Sequence, residues 1–333
     1  MGQGAYIFGC EGLILDKREA AFFRESDPWG YILFARNVDA PEQLYRLTNE
    51  LREAVGRDAP ILIDQEGGRV QRMRAPTWRD FLPPLDQIEA ALRHGDEDGA
   101  ARSMWLRGRL IADDLTSVGI DVNCAPTLDV ARDETHPFLR NRCYGSDAEI
   151  VALMGRAMAD GLAGGGVQSV MKHMPGHGRG TVDSHLGLPR IEVDLEELVD
   201  DFAPFKALND LPMGMTAHIV LDAVDPETPA TQSGAVIDLI RTQIGFDGLL
   251  MTDDISMEAL SGTVFERATR SLGAGCDLVL HCNGDLAQMD SLAKLGAMNT
   301  AAQTRADRAI AARKEAVGID IREAQAELDA LKA

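Results

Sequence analysis

The chain has 333 residues, of which 53 are acidic and 33 basic, so its net charge is −20 at pH 7. This excess of negative charge argues against a nucleic acid or an anionic membrane surface as a partner. The hydrophobic fraction of 45% suffices for a sizeable core, while no apolar run approaches the roughly 20 residues that span a bilayer.

The five cysteines are scattered along the chain without a CxxC pair, and their number is odd. This usage predicts free, buried thiols in a reducing compartment rather than a disulfide framework or a zinc site. Residues 1–16 lack the basic start and the long apolar run of a secretory signal. We therefore expect a cytoplasmic protein that does not bind a membrane.

Eight short apolar runs of the β type recur along the chain, with helical patterns between them. The runs lie at residues 5–8, 30–34, 61–63, 121–125, 168–171, 213–217, 249–252 and 278–281. Helices are predicted at residues 41–55, 99–118, 148–163 and 195–208, with Asp39 and Ser146 as candidate caps of the first and third. Strands that alternate with helices imply a parallel sheet.

Eight such units in about 300 residues predict an α/β fold of the (β/α)₈ TIM-barrel type. Residues 1–333 would form a single catalytic domain, with a helical tail at about 301–333. A doubly wound open sheet is the alternative, but that fold usually carries a glycine-rich phosphate loop. Neither GxGxxG nor GxxxxGKS occurs in the sequence, and we expect no cofactor.

Ionisable side chains follow four of the predicted strands. They are Asp64 after the third strand, Lys172 and His173 after the fifth, His218 after the sixth, and Asp253 and Asp254 after the seventh. Barrel enzymes carry their chemistry at the C-terminal ends of the strands, so this rim is the predicted active site. Successive strand side chains point to opposite faces, so only one of Asp253 and Asp254 can face the barrel axis. The other would cap a helix or support its neighbour.

Residues 172–185, with the sequence KHMPGHGRGTVDSH, contain three of the seven histidines. So many ionisable groups and glycines predict a mobile polar loop instead of packed core. One interpretation is a metal cluster of His173, His177, His185 and Asp183. The proline and glycines weaken it, because they exclude the helix on which HxxxH spacing binds metal. The other interpretation is a dyad in which Asp183 orients His185 for proton transfer.

Two further segments carry arginines. Residues 64–74, DQEGGRVQRMR, combine a double-glycine turn with Arg69 and Arg72, which could bind a polar ligand. Residues 139–145, LRNRCYG, place Arg140 and Arg142 beside an aromatic ring, and a solvated surface loop is the default interpretation there.

Three long motifs resemble those of glycoside hydrolase family 3. KHMPGHGRGTVDSH is similar to the family signature KH(F)PGHG…DSH, with Met174 in place of the commoner phenylalanine. DQEGGRVQR and MTDDISM match two further family segments in the expected order, and ILFARN and TAHIVLD agree as well. The resemblance covers about residues 6–283. Within the family, the single-domain bacterial β-N-acetylhexosaminidases of peptidoglycan recycling are the most similar subgroup.

The resemblance implies a retaining mechanism with a covalent glycosyl–aspartate intermediate. Asp253 takes the nucleophile position of the motif, and Asp254 the supporting one. His185 would be the general acid/base, oriented by Asp183, in place of the usual second carboxylate. Residues implied to bind the sugar are Asp64, Arg72, Arg142, Lys172 and His173.

The implied substrate carries a terminal β-linked N-acetylglucosamine, in particular N-acetylglucosaminyl-1,6-anhydro-N-acetylmuramic acid and its peptides. The chain is too short for the second domain from which some family members draw their acid/base, so we expect the proton donor in residues 176–185. The enzyme would use no metal and would act as a monomer.

Alternatives remain open. A phosphorylase or a β-glucosidase on the same barrel would keep the nucleophile, and a metal-dependent hydrolase would use His173, His177 and Asp183. Dependence of the rate on phosphate would identify a phosphorylase. Full activity after exhaustive chelation would eliminate the metal enzyme. A sugar-binding module without catalysis is a further alternative, which turnover of a chromogenic N-acetylglucosaminide would exclude.

Overall fold

The computed structural model describes residues 2–182 and 187–332. Its strands are β1 (Gly4–Gly9), β2 (Pro28–Leu33), β3 (Ile61–Ile63), β4 (Val122–Asn123), β5 (Gln168–Met174), β6 (Arg190–Ile191), β7 (Met213–Thr216), β8 (Val220–Leu221), β9 (Leu249–Asp254) and β10 (Leu278–His281). Eight of them close into a parallel barrel in the order β1-β2-β3-β4-β5-β7-β9-β10, and β6 pairs with β8 alone. The predicted (β/α)₈ fold is confirmed, and each predicted run overlaps one barrel strand.

Helices surround the barrel. They are α1 (Lys17–Ser26), α2 (Pro41–Val55), α3 (Pro84–His94), α4 (Glu97–Thr116), α5 (Pro137–Arg140), α6 (Ala148–Gly164), α7 (Val199–Ala207), α8 (Gly234–Leu239), α9 (Val264–Ala274), α10 (Leu286–Ala293), α11 (Thr300–Ala311) and α12 (Ile321–Lys332). A π-helical turn, Ile240–Ile244, continues α8, and short 3₁₀ turns lie at Ala35–Asn37 and Ala230–Gln232.

The predicted bounds of the helices agree with the structure better than the predicted capping residues do. The bounds of α2 are those predicted, but Asp39 is not its cap, because Ala40 occupies that position and Pro41 begins the helix with a preset φ. Ser146 is not the cap of α6 either. The side chain of Asp147 accepts the N–H groups of Glu149 and Ile150.

The ends of α4 and α7 also depart from the prediction. The helix α4 begins two residues earlier than predicted, behind an Asp96 side chain that accepts the N–H of Gly99. Residues 195–198 form a turn ahead of α7, so the predicted start of that helix is wrong.

Two apolar layers hold the barrel together. Inward-pointing side chains of the strands, such as Ile7, Leu62 and Val170, fill its interior, and Ala302 and Ala306 of α11 belong to the same cluster. A larger cluster fills the space between the strands and the surrounding helices. The interior is therefore a packed core, and we expect a ligand site at the C-terminal ends of the strands.

The predicted tail packs against the rest of the molecule. Its second helix, α12, lies against α3 and α4, and its Glu327 pairs with Arg102 of α4. Across the described ranges, none of the helices combines the length and apolar character that crossing a membrane requires.

Candidate active site

A cavity of about 360 Å³ opens at the C-terminal ends of the barrel strands. Its wall combines charged groups with an apolar surface. The ionisable and aromatic lining residues include Phe34, Asp64, Arg69, Arg72, His136, Phe138, Arg142, Lys172, His173, His177, Asp253 and Asp254. The structure thus brings together most of the side chains that the sequence placed at the strand ends.

Asp64, which follows β3, accepts hydrogen bonds from two cations. Its Oδ1 lies 2.8 Å from Lys172 Nζ, and its Oδ2 lies 2.9 Å from Arg72 Nη2. Burial alone would raise the pKa of this carboxyl group, but attraction to Lys172 and Arg72 lowers it far below its ordinary value. Asp64 is therefore an anion that holds two donors at the cavity wall.

Glu66 forms a second, more deeply buried pair. It accepts both Nε and Nη2 of Arg142 at 3.0 and 2.9 Å, a bidentate geometry, and Lys172 Nζ lies 2.6 Å from its Oε1. Burial alone would raise the pKa of Glu66, but Arg142 and Lys172 hold it at about 2. Arg142 is only 7% exposed, so the default interpretation of its segment as a solvated surface loop is wrong.

Lys172 connects the two carboxylates. Its side chain is buried, which alone would lower its pKa, but Asp64 and Glu66 raise the pKa well above its ordinary value. Because a buried charge is tolerated when it is paired and hydrogen-bonded, the cluster keeps its ammonium and guanidinium groups fixed before any ligand binds. Fixed donors of this kind suit a ligand that presents several hydroxyl oxygens.

His173 is oriented from behind by a residue that the sequence did not single out. Its Nδ1 lies 2.7 Å from Asp129 Oδ2, and its Nε2 lies 3.4 Å from Arg142 Nη2. When Nδ1–H donates to Asp129, Nε2 carries the lone pair, which is directed towards the Arg142 donor. Burial would raise the pKa of Asp129, but its bonds and attraction to His173 and His177 lower it.

The two aspartates at the end of β9, Asp253 and Asp254, lie in different environments. Asp254 is tied to the backbone, since its Oδ1 accepts the N–H groups of Ser256 and Cys282, and its Oδ2 accepts Ser256 Oγ at 2.7 Å. The only bond to the carboxylate of Asp253 among the described residues comes from the Asp254 N–H at 2.7 Å. Asp253 thus has oxygens available in the cavity that it lines.

Asp253 is held as an anion by its surroundings. Burial would raise its pKa, but His173, His218, the Asp254 N–H and Lys172 together lower it. His218 lies behind the pair, with Nε2 3.0 Å from the Asp254 carbonyl and Nδ1 2.8 Å from Thr231 Oγ1. An ionised carboxylate beside fixed donors can act as a nucleophile or stabilise a developing positive charge.

The histidine-rich segment is not a mobile loop over the part that the structure describes. The strand β5 extends to Met174, and residues 172–178 are all buried. Arg179 donates to Asp201 of α7 at 2.8 Å, and the Gly178 carbonyl accepts the Thr135 hydroxyl group. The prediction of a mobile loop is wrong for these residues, because the partners that hold them, Asp201 and Thr135, lie on other parts of the chain. Asp183 and His185 lie outside the described residues.

Two aromatic rings and two arginines form one side of the cavity mouth. Arg72 lies over the Phe34 ring at 5.1 Å, and Arg69 lies over the Phe138 ring at 4.2 Å. Arg140, in contrast, is exposed and donates to the Arg132 carbonyl. Rings flanked by guanidinium groups provide a flat, partly apolar surface at the entrance.

Two of the four ligands in the metal interpretation, Asp183 and His185, lie outside the described residues. In residues 2–182 and 187–332 no three His, Cys, Asp or Glu side chains are grouped so that they could hold an ion. His173 Nδ1 is hydrogen-bonded to Asp129, and Nε2 faces the guanidinium group of Arg142. Neither ring nitrogen of His173 is therefore free to bind an ion.

Four residues of the site are absent from the prediction: Glu66, Asp129, Phe34 and Phe138. The position of Asp129 could have indicated a site residue, because Asp129 follows β4. Residues that follow the other strands form the rim of the predicted active site. Glu66 lies inside the DQEGGR motif, but nothing local indicates that its partner is 76 residues away.

Comparisons with known proteins agree with this geometry. Residues 19–312 match the model of the glycosyl hydrolase family 3 N-terminal domain. A β-hexosaminidase of Bordetella pertussis is 36% identical over 289 residues, which cover 85% of this chain and 81% of that protein. One of Alkalilimnicola ehrlichii is 37% identical over 286 residues, with 84% and 81% covered.

Among solved structures, NagZ from Neisseria gonorrhoeae in complex with N-trifluoroacetyl-D-glucosamine is similar over the whole length. The TM-score is 0.89 at 30% identity, and the match covers 100% of this chain and 99% of that one.

Proposed function

The chain belongs to glycosyl hydrolase family 3, and on that premise we propose that it is a retaining exo-β-N-acetylglucosaminidase. The observation that carries the proposal is the ionised Asp253 carboxylate, which lines the same cavity as the donor cluster around Lys172. The similar proteins named β-hexosaminidase, and the neighbour that binds an N-acylglucosamine, support N-acetylglucosamine as the sugar.

The charged cluster would hold the sugar for attack. Asp64 can accept a hydroxyl proton, while Arg72, Lys172 and Arg142 offer N–H groups to hydroxyl or acetamido oxygens. His173, whose Nδ1 is bonded to Asp129, would present its Nε2 edge beside Arg142 to the same surface. Because these side chains are fixed by one another before binding, little ordering cost falls on the substrate complex.

The chemistry would proceed in two displacements. An oxygen of Asp253 attacks the anomeric carbon while the glycosidic C–O bond breaks, and the departing oxygen takes a proton from His185. Water then gives a proton to His185, its oxygen attacks the anomeric carbon, and the Asp253 carboxylate leaves. Asp183 would orient His185, a role that we infer from the family motif.

The natural substrate would be a fragment of peptidoglycan. We propose N-acetylglucosaminyl-1,6-anhydro-N-acetylmuramic acid and its peptides, cleaved in the cytoplasm by a monomeric enzyme. The cavity of about 360 Å³ supports a single sugar unit in its depth, with the remainder of the substrate at the mouth.

Hydrolysis of this disaccharide, followed by proton NMR from the first turnovers, tests the proposal. Retention predicts that β-N-acetylglucosamine appears first and later mutarotates to the α anomer. Initial release of the α anomer would contradict the double displacement. Absence of cleavage of any β-N-acetylglucosaminide would contradict the activity itself.

A further inference from the structure

His177 is a cavity residue for which the mechanism above has no use. Its side chain lines the cavity and is only 7% exposed. Within the described part of the chain, neither of its ring nitrogens has a hydrogen-bond partner. His173 and His218, by contrast, each have partners for both ring nitrogens.

The backbone fixes the position of this ring. The His177 N–H donates to Asp129 Oδ1 at 2.7 Å, and its carbonyl accepts the Gly180 N–H at 2.9 Å. A Cβ atom at position 180 would lie 2.9 Å from the ring, so the ring packs directly on the glycine. The imidazole is therefore placed by its neighbours and not by bonds of its own.

The surroundings keep the ring neutral. Burial lowers the pKa of His177 to about 4, and Asp129 only partly offsets this effect. A neutral imidazole presents one N–H donor and one lone pair. Buried polar atoms without partners cost free energy, which a ligand group of matching polarity recovers when it binds.

We propose that His177 is a specificity-determining residue that hydrogen-bonds a hydroxyl group of the bound sugar. The inference rests on the proposed function for the identity of the ligand. A hydroxyl group both donates and accepts, so it matches a neutral imidazole in either tautomer. A neutral ring offers an anion no positive charge to bind.

Two variants separate binding from structure. His177→Phe keeps a flat ring and removes both nitrogens, while His177→Gln keeps a donor and an acceptor. Calorimetric titration with N-acetylglucosamine should show an affinity about 5- to 100-fold lower for His177→Phe and a smaller loss for His177→Gln. The thermal midpoint of the free His177→Phe protein should not fall, because the lost nitrogens have no partner among the residues that the structure describes. If His177→Phe does not fold, His177→Leu replaces it in every comparison.

Deoxy sugars identify the partner. Removal of the correct hydroxyl from N-acetylglucosamine should weaken binding to the wild-type protein, but should leave binding to His177→Phe unchanged, because the contact is already absent. Unchanged affinity of His177→Phe for the intact sugar would overturn the proposal. Additive losses for the 3-deoxy, 4-deoxy and 6-deoxy sugars alike would also overturn it.

The outcome for His177 is distinguishable from the outcome for the enzyme. Binding of N-acetylglucosamine by the wild-type protein without hydrolysis of any glycoside would contradict the proposed function and leave the His177 comparison valid. Failure of the wild-type protein to bind the sugar would overturn both.

Discussion

Asp129 Oδ2 lies 2.7 Å from His173 Nδ1, and Oδ1 of the same carboxylate accepts the backbone N–H groups of His173 and His177. One buried residue of the β4 loop thus sets the ring orientation of His173 and the course of the chain after β5. The wall of the cavity that His173 and His177 form is therefore positioned by a group that does not line the cavity itself.

Replacement of this carboxylate should impair catalysis more than stability. In Asp129→Asn the amide N–H₂ faces His173 Nδ1, which favours the opposite tautomer and points a proton at Arg142. We expect kcat/KM to fall about 10- to 100-fold with a small change in thermal midpoint. Asp277→Asn is the control, since Asp277 is buried between Arg241 and Arg305 and does not line the cavity. It should lower stability and leave kcat/KM unchanged, and the reverse ranking would contradict this role of Asp129.

Lys172 should matter for stability as well as for binding. In Lys172→Met the carboxylates of Asp64 and Glu66 lose their shared cation, so the free energy of unfolding should drop by about 3–5 kcal/mol. Arg102→Met breaks an exposed pair with Glu327 and should cost less than about 1 kcal/mol. Urea titration measures the free energy of unfolding of both variants. Equal losses would show that Lys172 stabilises the protein no more than an exposed ion pair does.

A buried carboxyl group that does not line the cavity gives a pH prediction. Burial raises the pKa of Glu19 in α1 to about 7, and only the Glu11 N–H and Arg36 oppose this shift. A raised pKa means that the folded state binds the proton more tightly than the unfolded state. The stability from this proton is therefore complete below pH ~4 and is lost as the pH rises through ~7.

Glu19→Gln removes that titration. Relative to the wild-type protein, the variant should gain about 1–2 kcal/mol between pH 5 and pH 8, after allowance for solvent screening. Denaturant titration at the two pH values measures the difference. A pH-independent difference would show that Glu19 titrates normally.

Much of the fold was predictable because the signals are local. Each barrel strand is a short apolar run, and the bounds of α2 follow from its periodicity and Pro41. What could not be predicted depends on distant contacts. A Cβ on Gly178 would clash with the Val130 carbonyl oxygen, so this glycine serves a close approach of two chain segments. Nothing in its neighbouring residues indicates that approach.

The candidate site, like the fold, has a part that was predictable and a part that depends on distant contacts. The residues at the strand ends were predictable, because a barrel brings those ends to one rim. The burial of Arg142 was not, since it depends on Glu66, which is distant in the sequence. Asp129 was overlooked for a similar reason, because its partners His173 and His177 lie 44 and 48 residues away in the sequence.

The proposed proton donor predicts a dependence on the leaving group. His185→Ala should slow glycosides with poorly activated leaving groups by about 10²–10⁴-fold and should affect a 2,4-dinitrophenyl glycoside little, because that group departs without a proton. Steady-state rates over a series of aryl glycosides measure the effect. A uniform loss across the series would argue against the acid role, and Asp183→Asn should follow the trend of His185→Ala.

Asp253, as the proposed nucleophile, should form a covalent bond to the anomeric carbon of the sugar. Incubation with a 5-fluoro derivative of N-acetylglucosamine that has an activated leaving group should trap the glycosyl–enzyme, since the fluorine slows the second displacement more than the activated first one. Peptide mass spectrometry should then find the added sugar on Asp253 and on no other residue. A label on Asp254 or elsewhere, or an enzyme that turns over the reagent without any label, would contradict the assignment of Asp253 as the nucleophile.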